Sequence, residues 1–411
     1  MSDLAQESEE GAVDGERWPD LVSPRTSGFR SSLARVFFRR LAVTTGIRVE
    51  LPDGQHLGPE HGPVLEVRDA DAFFARLGSR GKIGFGESYM ANEWDAVDLV
   101  GVLEAMARNA TSLVPRPLQV LRQWFDARQP AGEDNDRTGA ARNIARHYDL
   151  SNELFATFLD ETMSYSSGFF DSEHSSLSQA QARKIDRLLD ATKVGEGTRV
   201  LEVGTGWGEL ALRAARRGAQ VTSVTLSQEQ AALARQRVSD AGLSALVDVR
   251  VQDYRDVQGV FDAIVSVEMI EAVGERWWPT YFRTLDQRLA RDGRIGLQSI
   301  LMSHKRLQAT KSSWTWIHKY IFPGGIIPSE HAIRAVLGSH TSLKIADELH
   351  FGDSYALTLR TWRERFTRSA NDVARLGFDS TFRRMWEFYL AYSEAGFRSG
   401  YLDVAQFVLA R

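Results

Sequence analysis

Several features that would narrow the function are missing from this sequence. Cysteine is absent from all 411 residues, which excludes disulfides, zinc–thiolate centres and a cysteine nucleophile. Residues 1–20 are acidic and polar, without the pattern of a secretory signal. No apolar run approaches the roughly 20 residues that span a bilayer. We therefore expect a cytoplasmic protein.

Charge and histidine spacing exclude further classes. The net charge is −4 at pH 7, whereas proteins that coat nucleic acids carry a strongly basic surface, so we expect no nucleic-acid partner. The nine histidines show no metal-ligand spacing, and we expect no metal site. The length allows two or three domains.

Composition and periodicity divide the chain into four parts. Residues 1–27 are acidic and aperiodic and are predicted to form a disordered tail, in which Trp18 is a candidate anchor. Residues 28–127 mix short strand-like and helix-like stretches and are predicted to form a small α+β domain. Residues 128–139 are polar, contain proline and glycine, and are the predicted linker. Residues 140–411 form the predicted catalytic domain.

The predicted catalytic domain alternates strand-like runs with helical periodicity. This alternation predicts an α/β fold with a Rossmann-like, doubly wound parallel sheet. A cofactor would lie at the carboxyl ends of its strands. The predicted strands are Arg199–Val203, Gln220–Thr225, Val247–Val251, Asp262–Val267 and Arg294–Ser299.

A basic amphipathic helix is predicted over Phe29–Leu41. Leu33, Val36, Phe37 and Leu41 fall at helical spacing, and most of the arginines lie elsewhere on the helix. Such a helix can lie in the plane of an anionic membrane surface. It can also be an ordinary domain helix with a solvated arginine face, and the sequence leaves both alternatives open.

The segment Val200–Leu210, VLEVGTGWGEL, is the most informative part of the chain. An apolar run, glycines at alternate positions and an apolar-periodic segment follow one another, which predicts strand, tight turn and helix. This is the layout of a nucleotide-type cofactor site. Glycine lets the backbone adopt positive φ and lets a ligand approach the main chain. The glycines are Gly204, Gly206 and Gly208.

The details of this turn favour S-adenosylmethionine over a dinucleotide. Glu209 stands where the pattern G-x-G-x-x-G needs glycine, and the second strand ends without the acidic residue that binds an NAD ribose. S-adenosylmethionine has no pyrophosphate, so a more compact turn suffices. Asp253, at the end of the third strand, could accept from the adenine amino group, with Tyr254 beside the ring. Alternatively, Asp253 only caps a turn.

Further motifs run through the predicted catalytic domain. They are HYDLSNELF (His147–Phe155), MSYSSGFF (Met163–Phe170), VTLSQEQ (Val224–Gln230), QDYRD (Gln252–Asp256), SVEMIEAVG (Ser266–Gly274), KYIFPGG (Lys319–Gly325) and EAGFRSGYLDVAQF (Glu394–Phe407). In this order they resemble the cyclopropane-fatty-acid synthase family, which acts on unsaturated acyl chains, usually in phospholipids. Ile83–Trp94 resembles the extra domain of the full-length lipid-modifying members, which implies that residues 28–127 form a lipid-associated domain. Together with Gly274–Phe282, it also resembles the actinobacterial branch associated with methylene- and methyl-branched fatty acids such as tuberculostearic acid.

The resemblance implies which residues bind S-adenosylmethionine and which bind a bicarbonate ion, the family's base. The implied cofactor contacts are Tyr148, Tyr165, Ser166, Gly204, Gly206, Thr225, Leu226, Gln230, Asp253 and Tyr254, beside Gly208 of the turn. The implied bicarbonate-binding and catalytic positions are Ser167, Glu271, Gln298, Ile300 and Tyr355. Glu271 would orient the base through the bound ion. Alternatively, it is a buried carboxylate that orders the loop after the fourth strand.

The sequence departs from the best-known members of the family at two residues that bear on mechanism. Gln298 stands where histidine is common, so it can form hydrogen bonds but carries no positive charge. The anion site is therefore expected to be weaker or differently held. Ser393 stands where cysteine is frequent, and a chain without cysteine cannot use covalent thiolate catalysis.

The resemblance predicts methyl transfer to the double bond of an oleoyl-type chain in a phospholipid, at the inner face of the membrane. Transfer leaves a cation on the acyl chain. Proton loss from the new methyl group then closes a cyclopropane, whereas a preceding hydride shift leads to an exocyclic methylene. The amino-terminal likeness favours the methylene product, from which a separate flavin- or NADPH-dependent reductase would make the methyl-branched chain. The aromatic residues expected near the cation, or else in the core, are Phe169, Phe170, Trp314, Trp316, Tyr320 and Tyr355.

Other functions are disfavoured by the sequence but remain open at this point. A methyltransferase acting on small molecules or nucleic acids fits the glycine turn, but the acidic charge and the lack of an Asn-Pro-Pro-Tyr motif argue against it. A non-enzymatic lipid-binding module would need neither the turn nor Gln230. A homodimer formed through the amino-terminal domain is expected from the resemblance.

Overall fold

The computed structural model describes residues 13–22, 26–109, 135–136, 139–140, 142, 151–172 and 174–411. These residues group into two compact units. The amino-terminal unit contains the described residues up to 109 together with 313–321 and 362–401, and the large unit contains the remainder.

This grouping differs from the single boundary expected from the sequence. The segments 313–321 and 362–401 were assigned to the predicted catalytic domain, but they supply helices to the amino-terminal unit. Most of the predicted linker lies outside the described residues. Within it, Asn135 is buried and donates from Nδ2 to the Gly324 carbonyl at 2.9 Å.

The regular elements are numbered in chain order. The strands are β1 (Arg48–Glu50), β2 (His56–Leu57), β3 (Val64–Val67), β4 (Trp94–Asp95), β5 (Arg199–Val203), β6 (Gln220–Thr225), β7 (Val247–Val251), β8 (Phe261–Val267), β9 (Leu289–Met302), β10 (Lys344–His350) and β11 (Leu402–Ala410). The helices are α1 (Gly28–Thr45), α2 (Ala70–Met90), α3 (Leu99–Arg108), α4 (Asn152–Ala156), α5 (Leu177–Ala191), α6 (Glu209–Arg216), α7 (Gln228–Asp240), α8 (Ile270–Val273), α9 (Trp278–Arg288), α10 (His304–Thr310), α11 (Trp316–Tyr320), α12 (Glu330–His340), α13 (Gly352–Arg368), α14 (Ala370–Arg375) and α15 (Ser380–Arg398).

The amino-terminal unit packs helices beside a small mixed sheet. The strand order is β2-β1-β3-β4, with β1 and β3 parallel and the outer pairs antiparallel. Phe38 of α1 meets Phe73 of α2 edge-to-face at 5.1 Å between ring centroids. Trp316 of α11 meets Phe388 of α15 at 4.8 Å. Aromatic contacts of this kind stabilise the core beyond the apolar area that they bury.

The helix predicted over Phe29–Leu41 is present as part of α1, but Leu33, Val36 and Phe37 of its predicted apolar face are exposed. The helix begins after Ser27, whose hydroxyl accepts from the Arg30 backbone N–H, and ends at Gly46 with φ +73°. Phe38 and Ala42 are buried. An apolar stripe on the other side of the helix is exposed and consists of Phe29, Leu33, Val36, Phe37 and Val43.

Part of the predicted disordered tail is ordered. Trp18 donates from Nε1 to Asp379 Oδ2 at 2.8 Å, and Leu21 is buried. Both contacts lie within the amino-terminal unit, so Trp18 is the anchor that its aromatic character indicated. Residues 1–12 and 23–25 lie outside the described part of the chain.

The large unit confirms the predicted doubly wound sheet. Its strand order is β10-β11-β9-β8-β5-β6-β7. The neighbouring strands β9, β8, β5, β6 and β7 are all parallel. Strand β11 is antiparallel to both of its neighbours, β9 and β10. The sheet has a hydrophobic core on each face. Val200 of β5 packs into one of these cores and Leu201 into the other, because successive side chains of a strand point to opposite faces.

The sheet topology creates a crevice at the end of β5. The chain moves to β6 and β7 on one side of β5 and returns to β8 and β9 on the other. Ligands of such sheets bind at this switch point, outside the carboxyl ends of the strands. Among the described residues, no helix combines the length and the apolar character needed to cross a bilayer.

Candidate active site

The glycine turn after β5 has the backbone geometry that its sequence indicated. Gly204 has φ +98°, and a Cβ there would lie 2.5 Å from Met269 Cγ. Gly206 has φ +51°, and a Cβ there would meet no atom within 4 Å. The turn therefore requires glycine at both positions, and the space beside Gly206 is open to a ligand.

A pocket lies over this turn and brings together most of the expected cofactor contacts. It is lined by Tyr165, Ser166, Gly204, Gly206, Thr225, Leu226, Gln230, Asp253 and Tyr254. Gly208 is not among the lining residues. It lies directly before α6, where a Cβ would be 3.1 Å from Ala234 Cβ. Tyr148 lies outside the described residues. Sequence reasoning missed other lining residues, among them Met163, Lys184, Trp207, Arg255 and Glu268.

Gln230 is positioned by the end of β6. The Thr225 hydroxyl donates to Gln230 Oε1 at 3.1 Å, and Gln230 is buried in the first turn of α7. Ser227 caps this helix by accepting from the Gln230 backbone N–H at 3.2 Å. The capping fixes the backbone and the Thr225 contact orients the amide, so Gln230 presents a fixed polar group to the pocket.

Asp253 does cap a turn. Its Oδ1 accepts from the Arg255 backbone N–H at 2.9 Å, and its carboxylate pairs with the Arg255 guanidinium at 2.6 Å. Each side chain is 9% exposed. Asp253 also lines the pocket, so the capping role and a place in the cofactor wall occur together.

The buried end of the site is organised around Glu268, which follows β8. Glu268 has φ +51°, an uncommon backbone conformation for a residue other than glycine. Its Oε1 accepts from the Ser167 backbone N–H and from Gln298 Nε2, both at 2.9 Å. Its Oε2 accepts from the Tyr355 hydroxyl at 2.7 Å. Three of the expected bicarbonate-binding residues therefore hold a carboxylate of the chain itself.

The amide of Gln298 is oriented from behind. Gln406 of β11 donates from Nε2 to Gln298 Oε1 at 2.9 Å and to the Lys184 carbonyl at 3.0 Å. The oxygen of the Gln298 amide is thereby used, so its nitrogen is the end that faces Glu268. Gln298 and Gln406 are fully buried.

Glu271 occupies a separate position at the start of α8. Its Oε1 accepts from the Ile300 backbone N–H at 2.6 Å and from the Ser299 hydroxyl at 2.9 Å. Its Oε2 is buried and accepts no hydrogen bond from the described residues. Burial, together with the negative charge of Glu268, raises the pKa of Glu271 to about 8. Ile300 thus contributes through its backbone, as an apolar residue must.

Lys184 of α5 supplies positive charge at the same end of the pocket. Its ammonium group is buried and donates to the Ser166 hydroxyl. Burial lowers the pKa of Lys184 to about 8, while the nearby carboxylates of Glu268 and Asp160 oppose this shift. Glu268 shows the converse effect, because burial raises its pKa and Lys184 lowers it. Each group therefore favours the ionised form of the other, against the effect of burial.

The aromatic residues expected near a cation are divided between the two units. Trp314, Trp316 and Tyr320 belong to the amino-terminal unit, where the Tyr320 hydroxyl donates to Glu87 at 2.9 Å. Phe169 packs against Phe351 at 5.3 Å between ring centroids. Packing against neighbouring rings therefore accounts for Phe169 and Trp316, whereas the Tyr355 hydroxyl contacts the Glu268 carboxylate.

Comparison with known proteins identifies the family of this arrangement. The family described as mycolic acid cyclopropane synthetase matches residues 135–407. The chain belongs to this family. It is an S-adenosylmethionine-dependent methyltransferase with the class I fold, as the sequence predicted.

Two curated relatives extend the comparison beyond the large unit. The tuberculostearic acid methyltransferase UfaA1 of Mycobacterium tuberculosis is 50% identical over 97% of this chain and 96% of that protein. The cyclopropane-fatty-acyl-phospholipid synthase of Escherichia coli is 33% identical over 84% of this chain and 87% of that protein. Among solved structures, the mycolic acid cyclopropane synthase CmaA1 complexed with SAH and CTAB is 27% identical. The structural match covers 69% of this chain and 99% of the CmaA1 chain, with a TM-score of 0.62.

The pocket fits the methyl donor, but the inner residues do not fit bicarbonate. The open space at Gly206, the oriented Gln230 and the ring of Tyr254 suit a nucleoside with a charged tail. The donors expected for bicarbonate already serve Glu268. A free anion placed there would meet a carboxylate instead of unused donors, so no catalytic step is assigned to bicarbonate.

Proposed function

We propose that this methyltransferase transfers a methyl group to the double bond of an oleoyl-type chain in a phospholipid and forms a 10-methylene-branched acyl chain. The observation that carries this proposal is the 50% identity to a tuberculostearic acid methyltransferase, which extends over 97% of the chain and therefore includes the amino-terminal unit. Identity to the cyclopropane synthase is lower, and its coverage is smaller. Cyclopropane formation is the alternative outcome for the same substrate.

The pocket residues have two tasks in this reaction. Gln230, Asp253 and the turn at Gly206 hold the cofactor, which when bound supplies an electrophilic methyl group. The buried lining excludes water from a carbon–carbon double bond that is a weak nucleophile, so positioning and desolvation carry much of the catalysis. A base must then take a proton from the transferred methyl group. Two carboxylates are candidates for that base: Glu268, which lines the pocket, and Glu271, which lies three residues later at the start of α8.

The exposed stripe of α1 supports peripheral binding to the inner face of the membrane. Its apolar side chains lie beside exposed arginines, a combination that binds anionic lipid surfaces. We propose that this surface brings the enzyme to its phospholipid substrate. A homodimer formed through the amino-terminal unit and a separate flavin- or NADPH-dependent reductase acting on the product remain part of the proposal.

Product analysis tests the proposed function. The full-length protein is incubated with S-adenosylmethionine and dioleoyl phospholipid vesicles, and the released acyl chains are analysed by mass spectrometry and proton NMR. The expected product has gained one CH₂ and shows exocyclic methylene protons. Cyclopropane protons at the same mass would establish the alternative, and an unchanged acyl chain would refute lipid methylation.

A further inference from the structure

The methylene-forming reaction of the proposed function needs a proton acceptor near the transferred methyl group. We propose that the carboxylate of Glu268 is this acceptor and takes the place expected for bicarbonate. The enzyme then works without an external anion. This inference rests on the proposed function and assigns its base to a residue that the sequence motifs did not single out.

The hydrogen bonds around Glu268 are those of a built anion site. A backbone N–H from Ser167, an amide N–H from Gln298 and a hydroxyl from Tyr355 converge on its two oxygens, at 2.9, 2.9 and 2.7 Å. Backbone and amide N–H groups can only donate, so they favour the ionised carboxylate over the neutral acid. Gln298, which is expected to bind a free anion through its side-chain amide, therefore binds the carboxylate of Glu268 instead.

The position of Glu268 gives it access to the reacting methyl group. It lines the same pocket as Gly204 and Met269, at the carboxyl end of β8. Its positive φ costs energy for a glutamate, and such conformations persist where the surrounding structure holds them. Ser167 and Tyr355 supply that restraint, and they fix the carboxylate at the wall of the pocket.

Glu271 is less suited to accept the proton. Its Oε1 accepts from Ile300 and Ser299, and Glu271 is not among the residues that line the pocket, whereas Glu268 is. The pKa of Glu271, about 8, keeps it mostly protonated at neutral pH. Burial raises the pKa of Glu268 as well, but Lys184 and the hydrogen bonds from Tyr355, Gln298 and Ser167 oppose that effect.

The proton transfer balances without a further reactant. Once the methyl group is bonded to one alkene carbon, the neighbouring carbon carries the positive charge. A hydride then shifts from the methylated carbon to that neighbour, and the charge moves to the methylated carbon. Glu268 takes a proton from the methyl group, and the C–H electron pair forms the exocyclic double bond. The neutral Glu268 acid returns its proton to water after the product leaves.

The first test measures the dependence of the wild-type protein on bicarbonate. Turnover of dioleoyl phospholipid vesicles is measured in carbon-dioxide-depleted buffer, with and without added sodium bicarbonate. The expected rates are equal. A rate that falls on depletion and returns with bicarbonate would overturn the inference while leaving the proposed function intact. Absence of product under both conditions would instead refute the proposed function.

The second test uses two substitutions of Glu268. Glu268→Gln keeps the shape but cannot accept a proton, and its turnover should fall at least about 100-fold with unchanged S-adenosylmethionine affinity by calorimetry. Glu268→Gly opens the site, so added formate or bicarbonate should restore part of the turnover of this variant. The same anions should restore no turnover in Glu268→Gln, where the amide still fills the site. Retention of wild-type turnover by Glu268→Gln would overturn the inference. Equal loss in both variants, with cofactor affinity intact and no anion rescue, would do the same.

Discussion

The Tyr355 hydroxyl donates a hydrogen bond of 2.7 Å to Glu268 Oε2. Removing this donor in Tyr355→Phe should lower kcat roughly tenfold or more, because hydrogen bonds to charged groups contribute about 1.5–3 kcal/mol. The donor favours the ionised carboxylate, so its loss should raise the pKa of Glu268. The acidic limb of the pH–rate profile should therefore move to higher pH. Steady-state kinetics across pH measures both effects.

Tyr392→Phe is the matched control for this substitution. Tyr392 is 46% exposed and belongs to α15 of the amino-terminal unit, so loss of its hydroxyl should leave the profile unchanged. A Tyr355→Phe profile with the wild-type acidic limb would contradict the role assigned to this hydrogen bond.

The cofactor pocket predicts a specific effect at Gln230. Gln230→Ala removes a buried, oriented amide from the lining and should weaken S-adenosylmethionine binding by about tenfold, the loss expected for one good hydrogen bond. Gln236→Ala, at an exposed position of the same helix, should retain the wild-type affinity. Isothermal titration calorimetry compares the two dissociation constants. Equal affinities would remove Gln230 from the site.

Stability should decrease as pH rises through the neutral range because of Glu202. Burial raises its pKa from 4.5 to about 8 in the folded protein. Between these values the folded state retains a proton that the unfolded state has released, so the free energy of unfolding falls with pH. Glu202→Gln should remove a contribution on the order of a few kcal/mol across this window.

Denaturant unfolding at pH 5.5, 7 and 8.5 measures this dependence. Glu196→Gln, at an exposed position, should follow the wild-type protein. The explanation fails if Glu202→Gln and the wild-type protein lose stability equally between the lowest and highest pH.

Binding to membranes should depend on the exposed stripe of α1. The double substitution Leu33→Asp and Val36→Asp places charge on an apolar surface and should abolish cosedimentation of the full-length protein with phosphatidylglycerol vesicles. Val97→Asp is the control, because Val97 is 97% exposed but lies outside the stripe. Wild-type binding should weaken at high salt. Undiminished binding of the double variant would exclude the stripe as the membrane contact.

The parallel core of the fold was predictable from local sequence, and the antiparallel edge was not. The bounds of β5, β6 and β7 agree with the predicted strands, because each is a short segment rich in β-branched residues between helical segments. By contrast, β10 is exposed at most of its positions and lacks an apolar run. The grouping of 362–401 with the amino-terminal unit depends on contacts distant in sequence, which periodicity does not reveal.

The site shows the same division between local and distant information. The turn at Gly206 was recognised because strand, glycines and helix follow one another directly. Glu268 lies in the motif Ser266–Gly274, but the family resemblance assigns a role in this motif only to Glu271, three residues later. The importance of Glu268 arises from Ser167, Gln298 and Tyr355, which reach it from separate segments. Its place directly after a buried strand was the available signal.

The fate of deuterium in the acyl chain tests the central claim most directly. Vesicles of phospholipid carrying deuterium on both alkene carbons of oleate are incubated with the full-length protein and S-adenosylmethionine, and the product is examined by NMR. Our account predicts an exocyclic methylene at C10 and both deuterium atoms on C9, because the hydride shift precedes proton loss to Glu268. A cyclopropane with one deuterium on each of two ring carbons would contradict it.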